Sequence, residues 1–191
     1  NFDVNMIPYT KEAYEKGKYA FVSDFARFYI LNKYGGIYMD VDVELIKPLD
    51  YLLNNKVFLG FEKKGRVGPG LIMGSEPNTL FLKDMIEIYS DLHFINSDGS
   101  LNLTTIVDHT TIYLKSKGLS NEDTKQIVND VVVYPTDYFC PINMSTNKLE
   151  ITENTYSIHH FSGSWLSKWA KFKRLIRKLI GPKIYNKLYQ L

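Results

Sequence analysis

The sequence predicts an α/β fold in which a mixed sheet is flanked by helices. Three observations predict it. Segments with helical spacing of apolar residues alternate with short runs rich in Val, Ile, Phe and Tyr. No internal repeat or low-complexity tract interrupts that alternation. With 191 residues, 45% of them hydrophobic and 23% charged, the chain is long enough for one sizeable core and short for two.

The elements follow in order. "YAFVSDFARFYILNK", from Tyr19 to Lys33, spaces Phe21, Phe25, Phe28 and Leu31 by three and four, the period of a helix with one buried face. Gly35 and Gly36 end it, because glycine readily takes the left-handed conformation that follows a helix. "YGGIYMDVDVELI", from Tyr34 to Ile46, then reads as a strand with Ile37, Met39, Val41 and Val43 on one face. Its other face carries Tyr38, Asp40, Asp42 and Glu44. After a turn at Pro48 and Asp50, "KVFLGFE" predicts a buried strand over 56–62. "KKGRVGPG" predicts a loop and "LIMGS" a short strand. Asn78 is placed to cap a helix running to Leu92, and Ser120 to open a short helix with Glu122 and Asp123 in its first turn. "DVVVYP" and "YSIHHF" predict two further strands.

Charge divides the chain. From Leu166 onward there are eight Lys or Arg residues and no Asp or Glu, which leaves the preceding part at −6. The expected organisation is a body over 1–165 and a basic amphipathic helical tail over 166–191, in which Trp169, Phe172, Leu175, Ile176, Leu179 and Ile180 recur at three and four. Such a stripe suits docking on the body. The absence of acid on its polar face favours contact with an anionic membrane surface instead. No nucleic-acid recognition motif accompanies the charge, so no nucleic acid partner is expected. No run approaches the roughly 20 apolar residues that spanning a bilayer needs. Cys140 is the only cysteine, which favours a reducing compartment and a cytoplasmic location, peripheral to the inner membrane face. The sequons at Asn102 and Asn143 weigh little against this.

The pair Asp40 and Asp42 carries the chemistry. Two carboxylates held on one side of a strand repel each other unless a cation or a basic side chain sits between them. Hard oxygen ligands suit Mg²⁺ or Mn²⁺. Asp24 and Arg27, three apart on the preceding helix, share a face near the same strand. Asp24 lies among phenylalanines, where a carboxylate needs a reason to stay.

Joined together, "SDFARFYILNKYGGIYMDVDV" resembles the signature of glycosyltransferase family 32, the sugar-binding region that contains a D-x-D motif. The matching pattern is S-D-x-x-R followed by L-x-x-Y-G-G-I-Y-x-D-x-D. "HHFSGSW", from His159 to Trp165, resembles the His-containing segment followed by Trp near the end of such catalytic domains. The resemblance implies a GT-A (Rossmann-like) fold and a metal-dependent transferase that retains anomeric configuration. It implies a nucleotide-sugar donor, with UDP favoured, and a saccharide or lipid-linked saccharide acceptor in surface polysaccharide synthesis. Carried over residue by residue, Asp40 and Asp42 hold the metal, Mn²⁺ or Mg²⁺. Tyr38 lines the nucleotide pocket, Asp24 and Arg27 hold the donor sugar and diphosphate, and Ser164 and Trp165 contact the nucleotide sugar. The third metal ligand is one of two adjacent histidines, which point to opposite sides of a strand. The "H-F-x-G" resemblance selects His160 over His159. No carboxylate stands out as a covalent nucleophile, so front-face attack by the acceptor hydroxyl is expected.

The family's opening strand, which helps to form the nucleotide pocket, is not found ahead of the S-D-x-x-R helix. Where relatives carry T-G-P, this chain has "VDHTTIY", whose Asp108 and His109 either face the acceptor or begin a polar helix. Two other readings compete. One is a glycan-binding or membrane-associated domain that keeps the fold without turnover. The other is a haloacid-dehalogenase-like phosphatase, suggested by "DVDV" but lacking the later Asp-Asp that its chemistry needs.

Overall fold

The computed structural model describes residues 2–143, 146 and 148–161. The expected tail, Ser164 and Trp165 lie outside the described residues. Five α-helices are described, α1 Pro8–Glu15, α2 Tyr19–Tyr34, α3 Leu80–Ser90, α4 Ile106–Ser116 and α5 Thr136–Phe139, with a 3-10 helix at Asp50–Asn54. The strands are β1 Gly36–Tyr38, β2 Val43–Leu45, β3 Val57–Lys63, β4 Arg66–Val67 and β5 Met73–Ser75. They continue with β6 Gln126–Val128, β7 Val131–Tyr134, β8 Ile142–Asn143, β9 Lys148–Leu149 and β10 Ser157–His159.

The central sheet runs β1-β5-β3-β7-β6, with β4 added on β3. Only β3 and β7 pair in parallel; the other pairs are antiparallel, so the sheet is mixed as expected. β7 and the first five residues of β3 are buried throughout, as strands covered on both faces must be. Their alternation divides the core in two. Val57, Leu59, Phe61, Val131 and Val133 face a large cluster shared with α1 to α4. Phe58, Val132 and Tyr134 face a smaller one with Phe139 and Cys140. Helix α2 lies on the large cluster through Phe25, Phe28 and Leu31 and ends at Gly35, whose φ of 66° suits glycine.

Several expectations are corrected. The strand expected across 34–46 is two strands in two different sheets. β1 pairs with β5 in the central sheet, whereas β2 pairs with β10 in a separate two-stranded sheet. The chain must leave one sheet and enter the other between Tyr38 and Val43, and it turns there: the Val43 N–H donates to the Asp40 carbonyl at 3.1 Å. Val41, expected on a buried face, is 97% exposed at the tip. Asn78 does not cap α3. It sits at φ 60° and donates its N–H to the Asn32 carbonyl, while Thr79 precedes the helix.

Ser120 opens a bend instead of a helix. Its hydroxyl accepts from the Glu122 N–H, and Asp123 accepts from the N–H and hydroxyl of Thr136, a tertiary contact that local propensity cannot anticipate. The loop expected at 63–70 contains β4. α1 and β6 are further elements, and α4 extends well past its polar start. Its N-cap Thr105 accepts from the Asp108 N–H, and the Asp108 carboxylate accepts from the Thr105 N–H in return. No helix among the described residues is long and apolar enough to cross a membrane.

Candidate donor and metal site

A cleft of about 650 Å³ opens where α2, the β1–β2 turn, the β3–β4 hairpin, the start of α4 and β10 meet. Asp24, Arg27, Tyr38, Asp40 and Asp42 all line it. The S-D-x-x-R and D-x-D segments, expected to lie together, are brought together.

Arg27 is the hub. It is 4% exposed, and its guanidinium reaches Asp24 Oδ1 at 2.9 Å and Asp40 Oδ1 at 3.2 Å, while Nε donates to the Ser23 carbonyl at 3.2 Å. The Tyr38 hydroxyl donates to the same Asp40 oxygen at 2.9 Å, and the Tyr38 ring lies 4.3 Å beneath the guanidinium carbon. Burial pushes the Tyr38 phenol far up, so the hydroxyl remains a donor. Asp24 is almost wholly enclosed. Burial pushes its carboxyl up to about 6, against the opposing pull of Arg27. This answers why a carboxylate stays among the phenylalanines: it is the buried counter-charge that fixes Arg27, and Arg27 in turn fixes Asp40. Arg27 therefore holds carboxylates in this structure, where the resemblance expected it on the donor.

The backbone of Gly70 completes the socket. Its carbonyl accepts from the Asp40 N–H at 3.0 Å, and a Cβ there would run into the Asp40 carboxylate.

Asp42 lies across the turn, and the partner strand delivers its histidine. β2 and β10 are registered so that Val43 faces His159, and the Asp42 carbonyl accepts from the His160 N–H at 3.0 Å. His159 Nε2 consequently lies 3.1 Å from Asp42 Oδ1, with the ring against Phe161 at 4.0 Å between centroids. One donor atom each from Asp40, Asp42 and His159 fall within 4.8 Å of one another. Two carboxylates and an imidazole suit Mn²⁺ better than Mg²⁺. His159 Nδ1 is buried with no hydrogen-bond partner among the described residues, so the ring is not fully committed to the protein. The donor set thus fits a divalent ion.

The selection of His160 as third ligand is corrected by this geometry. Adjacent residues of β10 point to opposite sides, and His160 turns outward to Glu44 at 2.9 Å, half exposed. The register across two sheets decides which ring faces inward, and no local pattern carries that information.

The opposite wall holds residues the motifs did not mark. Glu62 and Arg66 line the cleft, with Arg66 Nη1 2.5 Å from Asp108 Oδ1. Their signal in the sequence was an acid ending an apolar strand and an arginine between glycines. Asp108 holds Arg66 and caps α4, while His109 packs on Tyr89 at 5.2 Å, its imidazole held below the usual range by burial. Neither lines the cleft.

Comparison with known proteins agrees with this geometry. Residues 1–59 match the family model described as glycosyltransferase sugar-binding region containing DXD motif. The match supports a glycosyltransferase family 32-like assignment for that part of the chain. It is 28% identical over 148 residues to an uncharacterized glycosyltransferase, L373, of Acanthamoeba polyphaga mimivirus, covering 75% of this chain and 56% of that protein. It is 50% identical over 36 residues to inositol phosphoceramide mannosyltransferase 1 of Schizosaccharomyces pombe, covering 19% of this chain and 11% of that protein. The chain therefore spans little more than half the length of the one relative and a small part of the other. No solved structure matches it significantly.

Proposed function

We propose that this chain is a metal-dependent, retaining glycosyltransferase of GT-A type that moves a sugar from a nucleotide-sugar donor to a saccharide or lipid-linked saccharide acceptor. The observation that carries the reading is the convergence of Asp40, Asp42 and His159 on one side of a cleft whose wall is the Asp24–Arg27 pair. Asp40, Asp42 and His159 would hold Mn²⁺, which when bound neutralises charge developing on a diphosphate leaving group. Arg27 and Tyr38 restrain Asp40 through one carboxylate oxygen, so that the carboxylate is held at the cleft without reorganising. Asp24 keeps Arg27 in place and adds negative charge beside the donor sugar, where an oxocarbenium-like centre would be stabilised. Phe21, Leu71 and Ile106 line the same cleft and give it apolar surface against which a bound donor would displace water.

UDP-sugars are the first donors to try. GDP-mannose is the second, because one relative is named a mannosyltransferase. That name also specifies an inositol phosphoceramide, which is in keeping with a lipid-linked acceptor. Work at a cytoplasmic membrane face in surface polysaccharide assembly is a further part of the proposal and rests on the basic, acid-free sequence from Leu166 onward.

The test is titration of Mn²⁺, followed through its electron paramagnetic resonance signal, with and without UDP, beside donor turnover. Wild type should bind Mn²⁺ and UDP cooperatively and turn over a nucleotide sugar. Asp42→Asn removes a ligand charge and no core volume, and should lose both. Unchanged turnover in that variant would rule out the metal role. Binding with no turnover of any donor would leave the glycan-binding alternative.

A further inference from the structure

The cleft has a second polar wall, which the D-x-D and S-D-x-x-R residues do not form. In the β3–β4 ladder Phe61 pairs with Val67 and Lys63 with Arg66, so Glu62 is the extra residue of a β-bulge. Bulges re-aim side chains and are over-represented beside binding sites. Here the bulge turns Glu62 into the cleft. Gly68 faces its stem: a Cβ there would lie 3.2 Å from Glu62 Cβ. The only ion-pair partner of Glu62 among the described residues is Arg66, whose Nε stands 3.7 Å from Glu62 Oε1, too far for a hydrogen bond. Arg66 Nε is itself buried without a hydrogen-bond partner among the described residues, although Nη1 is firmly held by Asp108.

The wall thus offers a carboxylate acceptor and a part-exposed guanidinium, adjacent and not hydrogen-bonded to each other. A hydroxyl is the group that satisfies both at once, since its oxygen accepts while its hydrogen donates. A diphosphate suits it poorly, because Glu62 and Asp108 already outnumber the charge of Arg66.

We propose that Glu62 and Arg66 form the acceptor subsite of this cleft, with one hydroxyl of the incoming saccharide donating to the Glu62 carboxylate and accepting from the part-exposed Arg66 guanidinium. The inference rests on the transferase reading above and adds its acceptor side. Both residues lie beyond 59, outside the region that matches the DXD family model. The subsite also shares its cleft with the candidate metal set, since Glu62 and His159 both line it. Burial raises the Glu62 carboxyl above its ordinary value while Arg66 opposes it, as befits a carboxylate short of donors.

The test is saturation-transfer NMR of the methyl glycosides of glucose, galactose and mannose on the protein with Mn²⁺ and UDP, beside calorimetry of UDP binding. At least one glycoside should give a signal on wild type that falls fivefold or more in Glu62→Gln and in Arg66→Lys. UDP affinity should stay within twofold, and in transfer assays the acceptor KM should rise about tenfold. Asp108→Asn, which loosens Arg66 from a distance, should give a partial loss and serves if either other variant fails to fold. Equal loss of UDP and glycoside binding would move Glu62 to the donor side and overturn the proposal. So would glycoside signals that ignore these substitutions, or no glycoside signal on a wild type that binds UDP. A wild type that binds neither Mn²⁺ nor UDP would instead sink the transferase reading itself.

Discussion

The two walls of the cleft are built from the same kinds of residue and do opposite things with them. On the α2 wall, Asp24, Arg27, Tyr38 and Asp40 are linked by hydrogen bonds and enclosed, with Arg27 4% exposed. On the β3–β4 wall, the Glu62 and Arg66 side chains are 19% and 35% exposed, and the contact between them is long. A buried ion pair costs so much desolvation that it persists only with its geometry saturated, whereas a half-exposed pair can leave capacity for a ligand. The first wall is a rigid holder, and the second is a receptor.

The largest expected effect breaks the holder. Arg27→Ala would leave Asp24 buried without its counter-charge, and should cost about 3–5 kcal/mol of stability in chemical denaturation. Arg66→Ala on the open wall should cost under about 1 kcal/mol, as a partly exposed pair does. Equal costs would show that the two walls do not differ as described.

The same contrast has a pH signature. Because burial raises Asp24 from its ordinary 3.8 to about 6, its native form holds a proton that the unfolded form has released. Its contribution to stability is therefore fully present below about pH 4 and is lost as pH rises through 6. The stability difference between wild type and Asp24→Asn should fall across that window and flatten above it. A rising difference there would mean that Arg27 outweighs burial.

A smaller effect sharpens the site at the turn. His159→Ala should weaken Mn²⁺ binding at least about tenfold, as loss of even an indirect partner of a metal ligand does. His160→Ala should change it less than twofold, because that ring faces Glu44 outside the cleft. The reverse order, read by the same Mn²⁺ titration, would mean that β10 is registered differently on β2.

The smallest concerns the rim of the open wall. Thr105→Ala removes one half of the capping box that seats Asp108 beneath Arg66, and should cost about 1 kcal/mol in thermal unfolding. The melt of Asp24→Asn should shift more.

The sequence by itself determined what local pattern can encode. The period of Phe25, Phe28 and Leu31 specified α2, the glycines specified its end, and the apolar runs specified β3 and β7, because each depends on residues within a few positions of one another. The motif residues Asp24, Arg27, Tyr38, Asp40 and Asp42 were legible for the same reason, being compact in sequence. Tertiary structure decided the rest. That 34–46 divides between two sheets depends on β5 and β10 as partners, far along the chain, and the turn this forces replaces the expected strand face. Which of two adjacent histidines faces the carboxylates is a matter of register, where a one-residue slip exchanges them. Whether Ser120 begins a helix was settled by Asp123 reaching Thr136. Glu62 and Arg66 became a wall only because a bulge turns Glu62 inward and the helix start at Asp108, 42 residues from Arg66, holds Arg66 beside it. Local free energies select the elements, but loop closure and pairing between distant segments select which side chains share a space.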